Sequence, residues 1–165
     1  MRAGRDLNDG KKVTMTHWCV LLTSLVILAW PYATLAGPKE DVAAATQAWV
    51  DAMNSHDPER VVALYDADAV LWGTVSPTIR DTPASIRDYF KGLPTMPPEF
   101  RGVIGEQRVR IYGDTAINSG TYTFTSVRDG KPTTTAARFS FVYRNQNGRW
   151  MIVDHHSSAV PAPPQ

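Results

Sequence analysis

From Phe100 to Ser158 the chain keeps to a period of two through four successive stretches, near 100–112, 115–127, 132–144 and 149–158. Gly113-Asp114, Asp129-Gly130 and Asn147-Gly148 separate them. These are residue pairs that accept positive φ and close tight hairpins. Long strands joined by such short turns pair with their neighbours in order, which predicts one antiparallel, strongly twisted sheet. A sheet of that length buries one face and must find something to bury it against.

The residues upstream supply the cover. Over 39–56, Val42, Ala45, Trp49 and Met53 recur at spacings of three and four, which predicts an amphipathic helix with Trp49 as its anchor on the sheet. Asp57-Pro58 restarts a helix, with Asp57 as N-cap and Pro58 in its first turn, and Val61, Leu64 and Tyr65 on the buried side. Ala69 to Trp72 reads as a short strand and Gly73 to Arg80 as a loop. A third helix begins at Asp81-Thr82-Pro83 and stops at Gly92. Pro94, Pro97 and Pro98 predict a stiff, non-helical connector over 93–99. Helices first and sheet afterwards make the class α+β, with about three helices on one face of the sheet.

Residues 1–36 read as a removable signal peptide. Arg2, Arg5, Lys11 and Lys12 precede an apolar stretch from Trp18 to Trp30, and Ala33 to Ala36 offers small residues before Gly37. The apolar core is shorter than the ~20 residues of a membrane span and is interrupted by Pro31. Met15 is a second plausible start, and Cys19, the only cysteine, lies in this segment. The expected location is therefore periplasmic or extracellular, with no stable membrane insertion after cleavage. Without those residues the acidic side chains outnumber the basic ones by one, so no basic excess points to nucleic acid. The domain is expected over 37–161, followed by a Pro-rich tail, 162–165.

The last strand holds the polar residues of interest. Simple alternation puts Val153, His155 and Ser157 on one face and Ile152, Asp154, His156 and Ser158 on the other. His155 and His156 point opposite ways and cannot share a metal. Asp154 with His156 lacks a third ligand, so neither a metal nor another cofactor is expected. An Asp154-His155-Ser157 relay is ruled out by extended geometry. What remains is a single histidine serving as hydrogen-bond donor or general base, or a core hydrogen bond for one histidine and a subunit contact for the other. Asp66, Asp68 and Asp88 read as surface or capping carboxylates. Tyr65, Trp72, Tyr89, Phe90 and Tyr122 read chiefly as core aromatics.

Tyr112-Gly113-Asp114 with Ala116, Gly130-Lys131-Pro132, Arg138, and Asn147 to Val153 running on to His156, Ser158 and Pro161 resemble the association domain of calcium/calmodulin-dependent protein kinase II. Trp49, Tyr65, Asp68-Ala69-Val70 and Tyr89-Phe90 fit the same scheme, so the resemblance covers about residues 40–161 and extends to secreted bacterial SnoaL-like and SgcJ/EcaC-like relatives. It implies the cone-shaped nuclear transport factor 2-like, or cystatin-like, fold. The glycine-rich loop, catalytic Asp loop and metal-binding Asp motif of a kinase are missing from this sequence. The association domain lines its pocket with arginines. Arg138 matches one of them, whereas Tyr122 and Ser157 stand where two others would be. The resemblance therefore implies that Arg138, with Ser140 and Val142, lines the cone. The alternative for Arg138 is a structural ion pair or an exposed edge.

Two function classes follow. One is a binding or oligomerisation module that pairs as a sheet-to-sheet homodimer or a larger homo-oligomer. The other is a small-molecule enzyme, an isomerase, cyclase or oxidoreductase-like protein, in the same cone. In either case Arg138, His155, Tyr122 and Ser157 are the expected ligand-binding set, His155 is the best catalytic candidate, and a small carboxylate or polar molecule is the expected ligand.

Overall fold

The computed structural model describes residues 37–162. The expected signal peptide, with Met15 and Cys19, lies outside the described residues, as do the last three residues of the tail. Three helices, α1 (Pro38–Asn54), α2 (Pro58–Val62) and α3 (Pro83–Phe90), surround the first strand β1 (Tyr65–Trp72) in the sequence. Four long strands follow: β2 (Arg101–Tyr112), β3 (Thr115–Arg128), β4 (Lys131–Gln146) and β5 (Arg149–Ala159).

The helix starts are set by local chemistry. Pro38 and Pro58 each sit in a first turn, where the missing N–H is no loss. The Asp57 carboxylate accepts from the Glu59 amide at 2.9 Å. At α3 the Thr82 hydroxyl accepts from the Ser85 amide at 3.2 Å, and the Ser85 hydroxyl accepts from the Thr82 amide at 3.0 Å, a reciprocal capping box. The connector expected to be non-helical contains one short 3-10 turn, Leu93–Thr95. Pro94 enters that turn because it too can begin a helical turn without its N–H.

The five strands form one sheet in the order β1-β5-β4-β3-β2. The last four strands make the expected antiparallel meander. Asp129-Gly130 and Asn147-Gly148 close two of its hairpins with positive φ at both residues. β1 corrects the fully antiparallel expectation: it lies parallel to β5, pairing Leu71 with His155 and Trp72 with His156. That pairing joins residues about eighty positions apart, and no tight turn announces it.

Two bulges interrupt the register of the meander, and a further irregularity falls on β1 between Tyr65 and Val70. On β2 one extra residue fits between the Ile104–Tyr122 and Gln107–Gly120 pairs. On β5 Tyr143 faces Ile152 while Val142 faces Asp154, so Val153 is the extra residue. Such insertions bend a strand and tighten its twist. Here they curve the meander around α1. Close approach at the first bulge is possible because Gly120 has no side chain; a Cβ there would run into the Glu106 carbonyl and the Phe139 ring.

α1 lies in the hollow of the sheet against β2, β3 and β5. Val42, Thr46, Trp49, Val50, Ala52 and Met53 form its buried stripe. Trp49 meets Tyr122 face on at 5.7 Å and meets Phe141 edge on at 5.4 Å. Phe139, Phe141 and Tyr143 from β4 complete this inner face. They are the packed face of that strand, and its other face is the outer surface. One core assignment is overturned: Trp72 is 45 % exposed on the outside of β1, because the parallel pairing places it beside outward-facing His156.

Candidate functional site

Between α1, α3 and the concave sheet lies an open-mouthed cavity of about 550 Å³. Its body is aromatic and apolar, with Trp49, Phe90, Leu93, Phe100, Tyr122 and Phe124 in the wall. Its polar corner is made by Tyr122, His155, Ser157 and Thr74. β3 supplies Tyr122, β5 supplies His155 and Ser157, and the loop after β1 supplies Thr74. Gly73 allows that loop to lie on Tyr89, since a Cβ at Gly73 would overlap the phenol ring.

His155 is 2 % exposed. Phe141 stacks on its ring at 3.9 Å, and Trp49 approaches edge on at 5.1 Å. Burial, reinforced by the neighbouring His156, lowers the His155 pKa to about 3, so the ring is neutral at physiological pH. Which nitrogen holds the proton follows from the hydrogen bonds. The indole Nε1–H of Trp49, which can only donate, donates to the Tyr65 hydroxyl oxygen at 3.1 Å. The Tyr65 Oη lies 2.7 Å from His155 Nδ1. Tyr65 is buried and, among the described residues, its hydroxyl has only these two side-chain partners, one of them a donor, so Tyr65 donates to Nδ1. His155 therefore holds its own proton on Nε2, facing Tyr122 Oη at 3.5 Å. Tyr122 donates in turn to Ser157 Oγ, and Thr74 Oγ1 is hydrogen-bonded to the same oxygen. Burial pushes the Tyr122 phenol up to about 12 and the Tyr65 phenol well above its ordinary value, so both keep their protons.

Tyr122, His155 and Ser157 thus come together on one cavity wall. Arg138 does not join them. It is exposed on the outer face of β4, where its Nε donates to Ser158 Oγ at 3.4 Å. The expectation that Arg138, Ser140 and Val142 line the cone is reversed, because burying Phe139, Phe141 and Tyr143 fixes the inner face of that strand. The cationic side chain among the cavity-lining residues is Arg128, at the exposed far end of β3. No carboxylate is among those lining residues.

Parity along β5 also differs from simple alternation. Ile152 and His155 are both buried, and the extra residue at Val153 makes that possible. Three contributors were not visible as such in the sequence: Trp49 as donor, Tyr65 as tautomer lock and Thr74 at the lip. Tyr65 and His155 stand ninety residues apart and meet only through the β1–β5 pairing. A second buried polar group is formed by Thr46, Asn118 and Tyr143, where Asn118 donates to Thr46 and Gln107, each at 2.7 Å.

The outer face is mixed rather than aromatic. Across it Trp72, His156, Ser140, Ser119 and Arg108 stand in one row through all five strands, and Val70, Asp154, Val142, Ile117 and Arg110 in the next. Asp66, on β1, accepts from Arg144 at 2.9 Å, and Asp88 pairs with Arg80 at 2.9 Å and Lys91 at 2.6 Å, in keeping with structural carboxylates. Among the described residues no group of three or more His, Cys, Asp or Glu is placed to hold a metal ion. No described helix is long and apolar enough to cross a membrane.

A family model described as calcium/calmodulin dependent protein kinase II association domain matches residues 38–161. A solved Xanthomonas campestris structure, provisionally described as such an association domain, is 38 % identical, covering 76 % of this chain and 90 % of its own, with a TM-score of 0.69. A kinase II hub from S. rosetta is 20 % identical over 76 % of this chain and 99 % of its own, with a TM-score of 0.68. A nuclear transport factor 2-like protein with a cystatin-like fold from Novosphingobium aromaticivorans is 16 % identical over 75 % and 82 %, with a TM-score of 0.66. The last two show the shared fold. No curated protein matches the chain.

Proposed function

The chain belongs to the calcium/calmodulin dependent protein kinase II association domain family, and from that premise we propose that it is a small-ligand-binding, self-associating domain without kinase activity. One observation carries this reading: a neutral, tautomer-locked His155 with Tyr122 and Ser157 on the wall of an aromatic cavity of about 550 Å³. That volume lies in the range of small-molecule sites, and an apolar body with a few convergent polar groups is their usual chemistry. The site favours binding over acid–base catalysis. Tyr65 occupies the lone pair of Nδ1, Nε2 already holds a proton, and no lining carboxylate is present to take one.

Ligand-observed NMR with a panel of apolar fragments tests the reading. Saturation transfer is expected from the unmodified protein and is lost in Thr135→Trp, which places an indole across the exposed mouth. A panel that shows no transfer at millimolar concentration rules the reading out.

Self-association is supported by family membership and by the outer face, where Trp72, Val142 and Ile117 lie among serine and arginine side chains. Sedimentation velocity is expected to give a dimer or larger homo-oligomer, and His156→Glu, in the middle of that face, to weaken it. A monomer at high micromolar concentration refutes this part. Export completes the proposal: the basic start, short apolar segment and small residues before Gly37 support cleavage there and a periplasmic or extracellular location.

A further inference from the structure

The polarity of the cavity corner is fixed at one atom. Tyr122, Ser157 and Thr74 are hydroxyls, able to rotate and either donate or accept. The His155 ring cannot choose, because the Trp49–Tyr65 relay occupies Nδ1 and leaves the proton on Nε2. That Nε2–H has a poor partner, Tyr122 Oη at the 3.5 Å limit of a hydrogen bond, while Tyr122 spends its own proton on Ser157. A buried donor used so weakly has capacity for an acceptor that enters from the cavity.

The charge of that acceptor is constrained by its surroundings. Phe141 and Trp49 pack against the His155 ring, Trp49 stacks on Tyr122, and the corner holds neutral groups only. Arg128 stands six residues along β3 from Tyr122, about 20 Å away at the rise of an extended strand. A carboxylate against His155 would lose its hydration with no cation to replace it, which is among the costliest burials available to a ligand. A ketone, aldehyde or ester oxygen takes the same hydrogen bond without that penalty.

We propose, resting on the ligand-binding reading above, that the cavity selects uncharged molecules: an apolar or aromatic body ending in a carbonyl oxygen that accepts from His155 Nε2–H. The body lies among Trp49, Phe90, Phe124 and Phe100, and the hydroxyls of Thr74 and Ser157 turn to give the same oxygen a second donor.

Three probes of nearly equal shape test this on the full-length protein at neutral pH: 4-phenyl-2-butanone, 3-phenylpropanoate and butylbenzene. The ketone is expected to bind at least tenfold more tightly than the carboxylate and more tightly than the hydrocarbon. Long-range proton–nitrogen NMR is expected to show His155 protonated on Nε2 alone. Tyr65→Phe, which releases Nδ1, is expected to weaken the ketone several-fold and leave butylbenzene unchanged. Carboxylate affinity equal to or above that of the ketone overturns the uncharged class while the cavity reading survives. A ketone preference indifferent to Tyr65→Phe, or a proton on Nδ1, overturns the role given to Nε2–H. Failure of all three probes to bind overturns the cavity reading itself.

Discussion

Acidification should destabilise this fold through one imidazole. In the unfolded chain His155 takes up a proton near its ordinary pKa of 6.5, whereas in the fold burial lowers that value to about 3. Between the two the unfolded state binds the extra proton. The contribution is therefore fully present above 6.5 and is lost as pH falls toward 3. The slope approaches 1.4 kcal/mol per pH unit, so moving from pH 7 to pH 5 removes about 2 kcal/mol, a sizeable share of the ~5–15 kcal/mol typical of a domain. His155 is almost wholly enclosed, so solvent screening scarcely reduces this figure. Urea unfolding at half-unit steps from pH 7.5 to pH 5 measures it for the unmodified protein and for His155→Gln. The variant keeps His56 and His156, so the difference in slope isolates His155. The variant is expected to be less stable at pH 7 yet flatter with pH. Parallel slopes, or a His155 ring proton whose chemical shift titrates between pH 5 and 7, would refute the reasoning.

Other expectations follow from single contacts. Gly120→Ala should lower stability by ~1–3 kcal/mol in chemical unfolding, since its Cβ meets the Glu106 carbonyl and the Phe139 ring rather than space. Arg138→Ala, on the exposed outer face, should change stability by less than ~0.5 kcal/mol and leave affinity for cavity ligands unchanged in the fragment assay. Intact mass of the protein recovered from its native envelope or medium should correspond to a chain starting near Gly37. Recovery of residues 1–36 in the membrane fraction would contradict export.

The meander was legible because each of its strands announces itself twice, by alternation and by the turn residues at its ends. Helix starts were legible for a similar reason: Asp57, Thr82 and the prolines after them act within one turn of the chain. The parallel pairing of β1 with β5 had no such local mark, and with it went the role of Tyr65, which a sequence shows only as one more core aromatic. Arg138 was misplaced for a different reason. Alternation gave its two faces correctly, and the inside was chosen by likeness to an arginine-lined pocket. Burial of Phe139, Phe141 and Tyr143 outweighs that likeness, because three aromatic side chains gain several kcal/mol by leaving water while one guanidinium loses by it. His155, Tyr122 and Ser157 came together as parity suggested, but His155 and Ile152 share the interior only because Val153 is accommodated as an extra residue.

That extra residue separates two properties of the cavity, its lining and its breadth. With Val153 removed on paper, Ile152 still faces Tyr143, Asp154 still faces Val142 and His155 still faces Phe141. Every side chain keeps its side of the sheet, and only the bend is lost. The identity of the lining is thus written in the residues on either side of the bulge, while the breadth of the hollow is written in the presence of the bulge itself. A protein built this way can widen or narrow its chamber by gaining or losing a single residue without exchanging one lining group, or rewrite the lining without altering the chamber. The two changes are separate steps, each compatible with a folded intermediate.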